Sequence, residues 1–162
     1  MNICPFLMKD TEMIVLVLEG VLLTPLRIIE IPDGNVMHAI KKGSAGECGF
    51  GEAYFSVAEH SHVKAWKRHR EMTLNLVVPV GKIRFVIFDD REESSTKNTF
   101  QEVILSIENY CRLTVPPMLW LGFQGVGDGL NLLMNIANIP HDPAESDRLD
   151  FGEIEYDWKE NK

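Results

Sequence analysis

At 162 residues, with 45% hydrophobic and 25% charged side chains, the chain has the size and composition of one globular domain with a sizeable core. Its 16 Lys and Arg against 24 Asp and Glu leave a net charge of −8, which argues against non-specific binding to nucleic acid or to an anionic membrane. The widely spaced Cys4, Cys48 and Cys111 suggest neither a disulfide framework nor a zinc site, and fit reduced thiols in a cytoplasmic protein.

The apolar segment Met13–Leu23 is too short to span a bilayer and is broken by Glu19 and Gly20. It lacks the charged start and cleavage site of a signal peptide and reads as the first strand or two. From there period-two alternation recurs and helical periodicity is scarce. Strand-like runs fall at 13–19, 24–30, 35–41, 50–58, 62–69, 73–79, 82–90, 100–107, 110–115, 119–123 and 130–138. Phe100–Asn109 is open to a second reading as a short helix. Turn residues punctuate the runs at Pro32-Asp33-Gly34, Val80-Gly81 and Gly127-Asp128-Gly129, and the polar stretch Glu92–Asn98 reads as an exposed loop. Short strands at this spacing predict an all-β sandwich or small barrel, an antiparallel jelly roll with little helix, forming a single domain over residues 1–162. From residue 140 onward an acidic extension is expected, anchored by Tyr156 and Trp158 on the body or on a partner subunit.

The most informative run is 62–91, HVKAWKRHREMTLNLVVPVGKIRFVIFDDR. Strict alternation puts Val63, Ala65, Lys67, His69 and Glu71 on one face, Leu74, Leu76 and Val78 on another, and Ile83, Phe85, Ile87 and Asp89 on a third. A Lys and a His among Val and Ala are thereby aimed inward, where a Lys is costly unless paired. Asp89 and Glu71 are the acids expected to meet it.

Three constellations follow, each with a plainer reading. Lys67-x-His69, Glu71 and Gly81 sit like the HxH, Glu and Gly of metal-binding cupins, but a protonated Lys cannot ligate and the later ligand position holds Leu121, so no metal is expected. Lys67, His69 and Asp89 could form an acid–base set, with a desolvated Lys or a carboxylate-oriented His as base. The alternative is a satisfied core histidine beside a snorkelling lysine. Lys64, Lys67, Arg68, Arg70, Arg91 and Arg112 could bind an anion or merely solvate a face. Gly125-Val126-Gly127 opens no helix and reads as a turn rather than a phosphate cradle, and Trp120 and Phe123 read as core.

The runs FGEAYFSVAEHSHVKAWKRH, TLNLVVPVGKIRFVIFDDR, ENYCRLTVPPMLWLGFQG and NIANIPHDPAESDRL resemble the dTDP-4-dehydrorhamnose 3,5-epimerase family of RmlC-like cupins, from about Thr24 to Trp158. The resemblance implies a jelly-roll barrel, usually a homodimer, acting without metal or cofactor on a nucleotide-linked 4-keto sugar. A His paired with an Asp removes a proton beside the ketone, and a Tyr returns one on the other face. Carried over, the family's Arg position is Lys64 and its catalytic His position is Lys67. The acid Tyr position falls near Met134, the later His is Leu121, and Asp89 and Arg91 match the family's DxR strand end. The expectation is an epimerase or isomerase with altered catalytic residues Lys67, His69 and Asp89, and with Lys64, Asn75, Arg91 and Asn135 against the substrate. The alternative is a catalytically inactive sugar-nucleotide-binding barrel.

Overall fold

The computed structural model describes residues 14–15 and 17–159, so Cys4 and part of the first predicted run lie outside the described residues. Thirteen strands follow in order: β1 (Ile14–Val15), β2 (Leu22–Pro25), β3 (Ile28–Ile29), β4 (Val36–Met37), β5 (Glu52–Val57), β6 (Val63–His69), β7 (Leu74–Val80), β8 (Lys82–Asp89), β9 (Thr99–Ser106), β10 (Cys111–Val115), β11 (Trp120–Gly125), β12 (Leu132–Ala137) and β13 (Ser146–Arg148). Among the described residues the one helical piece is the 3-10 turn Pro143–Glu145, and no helix is long and apolar enough to cross a membrane. Phe100–Asn109 is therefore mostly strand. The run predicted at 35–41 is largely loop, and β13 arises in the acidic tail, where alternation is slight.

Two antiparallel sheets face each other, one ordered β1-β2-β10-β7-β12-β5 and the other β13-β6-β11-β8-β9, beside a small β3-β4 ribbon. The inner faces of β7 and β8 follow the predicted alternation. Leu74, Leu76 and Val78 from β7 meet Ile83, Phe85 and Ile87 from β8 in one buried cluster with Leu113 and Leu133. The β7–β8 hairpin turns at Gly81, whose φ of +78° suits glycine, and a side chain there would run into the carbonyl of Leu130.

A second apolar cluster lies on the outer face of the five-stranded sheet. Trp66, Val86 and Trp120 are covered there by Ile154 and Trp158 of the tail. Trp158 lies 5.4 Å from Trp66, and Tyr156 stands edge-on to both rings. Arg84 donates to the carbonyl of Trp158 and to Gln124, tying the tail to β8 and β11. Gly122 makes the fit possible: a Cβ at that position would come within 2.8 Å of the Trp158 ring and 2.7 Å of the Ala65 Cβ.

Gly122→Val should therefore lift the tail off the sheet. Overpacking of this kind costs about 1–3 kcal/mol, a fall in Tm of about 2–10 °C for a chain of this length. Calorimetry together with red-shifted tryptophan emission checks it; an unchanged Tm and spectrum would refute the packing described.

Candidate active site

A cavity of about 390 Å³ opens where β5 and β12 of one sheet face β6, β11 and β13 of the other. Lys64, Lys67 and His69 line one wall, Tyr54, Ser56 and Asn135 the opposite wall, Leu74, Leu76, Leu121, Phe123 and Leu133 its apolar part, and Arg148 comes from β13.

The inner face of β6 is not the one that strict alternation gives. Leu121 pairs with Lys67 but Phe123 pairs with Lys64, so Ala65 and Trp66 together oppose the single Gly122. This bulge shifts the phase by one residue. Lys64 joins Lys67 and His69 in the cavity, and Val63 and Ala65 pack against the outer aromatic cluster, although Ala65 and Trp66 also border the cavity.

His69 is buried, and its Nδ1 lies 2.6 Å from Oε2 of Glu145. Glu145 is placed by its own short sequence logic. Asp142 caps the 3-10 turn by accepting from the Ala144 N–H at 2.9 Å, and Pro143 begins it. The chain then enters β13, which pairs with β6 through Ser146 and His69, Asp147 and Arg68, and Arg148 and Lys67. The other carboxylate oxygen of Glu145 accepts from the backbone N–H of Glu71 at 2.7 Å and of Met72 at 2.8 Å. Burial would raise this carboxyl, but those two N–H groups and the His69 ring outweigh it and bring it down to about 2. An ionised Glu145 only accepts, so Nδ1 of His69 carries the proton and Nε2 is left basic. Burial pushes the imidazole below its ordinary value, helped by the charges of Lys67 and His141, while Glu145 opposes the shift.

Lys67 is half-buried. Burial lowers its pKa, the neighbouring Arg148 lowers it further, and Glu145 and Glu52 pull the other way. On the facing wall Asn135 Nδ2 donates to the Tyr54 hydroxyl oxygen at 3.0 Å, leaving the phenolic proton free to be donated. Asn135 and Tyr54 are register partners on β12 and β5.

Four of the predicted site residues, Lys64, Lys67, His69 and Asn135, therefore share the cavity. Three do not. Asp89 does point inward, but β11 separates β6 from β8 and two inter-strand spacings amount to about 10 Å. Burial would raise the Asp89 carboxyl, but bonds from Arg91, Ser94 and Thr96 hold it well below the usual range. Arg91, engaged with that carboxylate at 2.8 Å and with the Glu19 carbonyl, is part of the same strand-end lock. Asn75 faces outward between inward Leu74 and Leu76, donating to the Gly46 carbonyl and accepting from Thr114. Neither Asp89 nor Glu71 is the acid beside Lys67; the Glu71 carboxylate position is taken by Glu145. Met134 lies between the cavity-lining Leu133 and Asn135 and is itself not in the lining. Glu145, Arg148 and Tyr54 were not anticipated. For Tyr54 a signal was present, since Tyr54 and Ser56 alternate in EAYFSV.

No family model matches the chain. It is 32% identical over 111 residues to the probable low-salt glycan biosynthesis epimerase of Haloferax volcanii, covering 65% of this chain and 71% of that protein. The crystal structure of a dTDP sugar isomerase from Desulfovibrio desulfuricans superposes with a TM-score of 0.84 at 41% identity, covering 86% of this chain and 90% of the other. The chain belongs to the dTDP-4-dehydrorhamnose 3,5-epimerase family. The 3,5-epimerase from Sulfolobus tokodaii shares the fold, with a TM-score of 0.80 at 19% identity over 91% of this chain and 86% of its own. Within this family fold, the cavity lies between the two sheets of an RmlC-like cupin barrel, and among its described residues no three His, Cys, Asp or Glu side chains cluster as metal ligands.

The charge balance around His69 can be read directly by NMR titration of its ring. Its pKa should lie below the ordinary value of about 6.5. Glu145→Gln should lower it further, because the carboxylate stabilises the imidazolium, and Lys67→Met should raise it. Shifts of opposite sign would contradict the arrangement.

Proposed function

We propose that this chain is a nucleotide-sugar epimerase or isomerase acting on a 4-keto sugar, with His69 as the base. The observation that carries the reading is the buried His69–Glu145 pair in a cavity whose opposite wall holds the Tyr54 hydroxyl. A C–H beside a ketone is acidic enough for a neutral imidazole to remove its proton if the developing enolate is stabilised. Nε2 of His69 takes the proton, Glu145 holds the ring and balances the imidazolium, and the Lys67 ammonium stands two residues away to receive the negative oxygen. Tyr54, facing from the other sheet, returns a proton to the opposite side of the sugar. Base and acid on opposite walls are what inversion requires. Relative to the family pattern, Lys67 changes from base to electrostatic partner, and the His–carboxylate pair is rebuilt two residues further along β6.

The family's usual homodimer fits an observation of this chain. Strand β5 is a sheet edge with unpaired backbone groups, and Phe55 and Val57 on it are exposed. We place the second copy there. The wide cysteine spacing and the net negative charge of the sequence fit a cytoplasmic location.

Incubation with a 4-keto sugar nucleotide in D₂O should introduce deuterium at a carbon flanking the ketone. His69→Asn should slow that exchange by about 10²–10⁴-fold. Tyr54→Phe should leave exchange largely intact while suppressing the inverted product. Tight binding with no exchange in the wild-type protein would defeat the catalytic reading and favour the inactive binding barrel.

Phe55→Glu should convert the dimer to a monomer in light scattering at micromolar concentration. A wild-type monomer, or a dimer indifferent to this change, would remove β5 from the interface.

A further inference from the structure

Most of the arginines on the two sheets have partners of their own. Arg68 is held by Asp147 and Asp90 and stacks on Trp120, and Arg70 also binds Asp147. Arg91 is locked by Asp89, and Arg112 by the carbonyls of Ala39 and Ala45. Arg148 differs. It lies directly opposite Lys67 in the β13–β6 register, and both line the cavity. Among the described residues neither side chain makes a hydrogen bond or an ion pair. Like charges placed opposite each other on a ladder repel. The nearby acid that attracts Lys67 most, Glu145, is already engaged by His69 and two backbone N–H groups. In a chain of net charge −8 this is a cation pair lacking its anion.

Resting on the proposed function, we infer that Arg148 seats the diphosphate of the nucleotide sugar at the cavity mouth, while Lys67 faces the sugar oxygen, and that Arg148 is a specificity-determining residue of this enzyme. The guanidinium fork suits two phosphate oxygens. Depth fixes the orientation: His69 is buried, Lys67 half-buried and Arg148 exposed. Same-face neighbours on a strand are about 7 Å apart, a spacing that leaves room for one sugar ring between the Nε2 of His69 and a phosphate at the mouth. The sugar therefore enters first and the nucleoside stays outermost. The same three-residue strand that follows Glu145 delivers Arg148, so one β13 pairing orients the base and builds the anion seat.

Calorimetric titration of the whole protein with inorganic pyrophosphate, orthophosphate and thymidine diphosphate tests this without requiring turnover. Pyrophosphate and thymidine diphosphate should bind, and Arg148→Ala should weaken both by about 10–100-fold, the range of one or two charge-assisted bonds. Arg148→Lys should recover part of the loss. In kinetics Arg148→Ala should raise KM much more than it lowers kcat. Arg148 is exposed, and an unchanged melting curve will confirm that the variant folds. Unaltered pyrophosphate affinity in Arg148→Ala overturns the inference, whether or not proton exchange occurs. Orthophosphate binding as tightly as thymidine diphosphate also overturns it, marking a site for free phosphate. Loss of pyrophosphate binding in the variant, with no proton exchange in the wild type, upholds the seat while removing the catalytic reading.

Discussion

The pairing of β13 with β6 is the contact on which the site depends. It closes one edge of the five-stranded sheet, and through three register positions it brings the tail to the basic strand. Glu145 reaches His69 only because Asp142 and Pro143 shape the turn before that pairing. The outer aromatic cluster works to the same end from the other side: Trp158 and Ile154 seat on Trp66, the residue next to Lys67. A tail that is acidic and poor in alternation is thus held by two unlike forces, a short ladder with ion pairs at Asp147 and the burial of indole rings.

That arrangement separates charge by face. On the outer side of β6, Arg68 and Arg70 are neutralised by Asp147 and Asp90 and contribute to docking. On the inner side Lys64, Lys67 and Arg148 line the cavity, and among the described residues only Lys64 of these three has a direct polar partner, the Val57 carbonyl at 2.8 Å. The cavity lining is positive within an acidic protein, and the buried Glu145 behind it serves the histidine. Low dielectric around that pair strengthens the hold of Glu145 on the ring, and it keeps His69 neutral and ready to accept a proton at physiological pH.

Period two was enough to read the sheet faces and to aim Lys67 and His69 inward. It failed where a local rule was broken. The bulge opposite Gly122 moved Lys64 to the inner face and Ala65 to the outer one, and no residue pattern in VKAWKRH announces it. Asp89 was placed on the correct face but in the wrong site, because alternation carries no information about how many strands intervene. Asn75 was excluded by the very alternation that defines Leu74 and Leu76 as core. Glu145 and Arg148 lay hidden because a three-residue strand has no period to detect, and their partners are 76 and 81 positions away in the chain. The family resemblance placed the scaffold, while its acid position falls near Met134, outside the cavity lining; the tyrosine that does line the cavity is Tyr54, which meets Asn135 from the adjacent strand.

The proposed mechanism stands on His69, held by Glu145, as the base, with the sugar between it and Tyr54. A crystal structure with a 4-keto sugar nucleotide, or a non-reactive analogue, bound in the cavity measures this most directly. A ring carbon flanking the ketone should lie within about 3–3.5 Å of His69 Nε2, with the Tyr54 hydroxyl on the opposite side of the ring. A sugar held away from His69, or one whose flanking carbons face Lys67 alone, would contradict it.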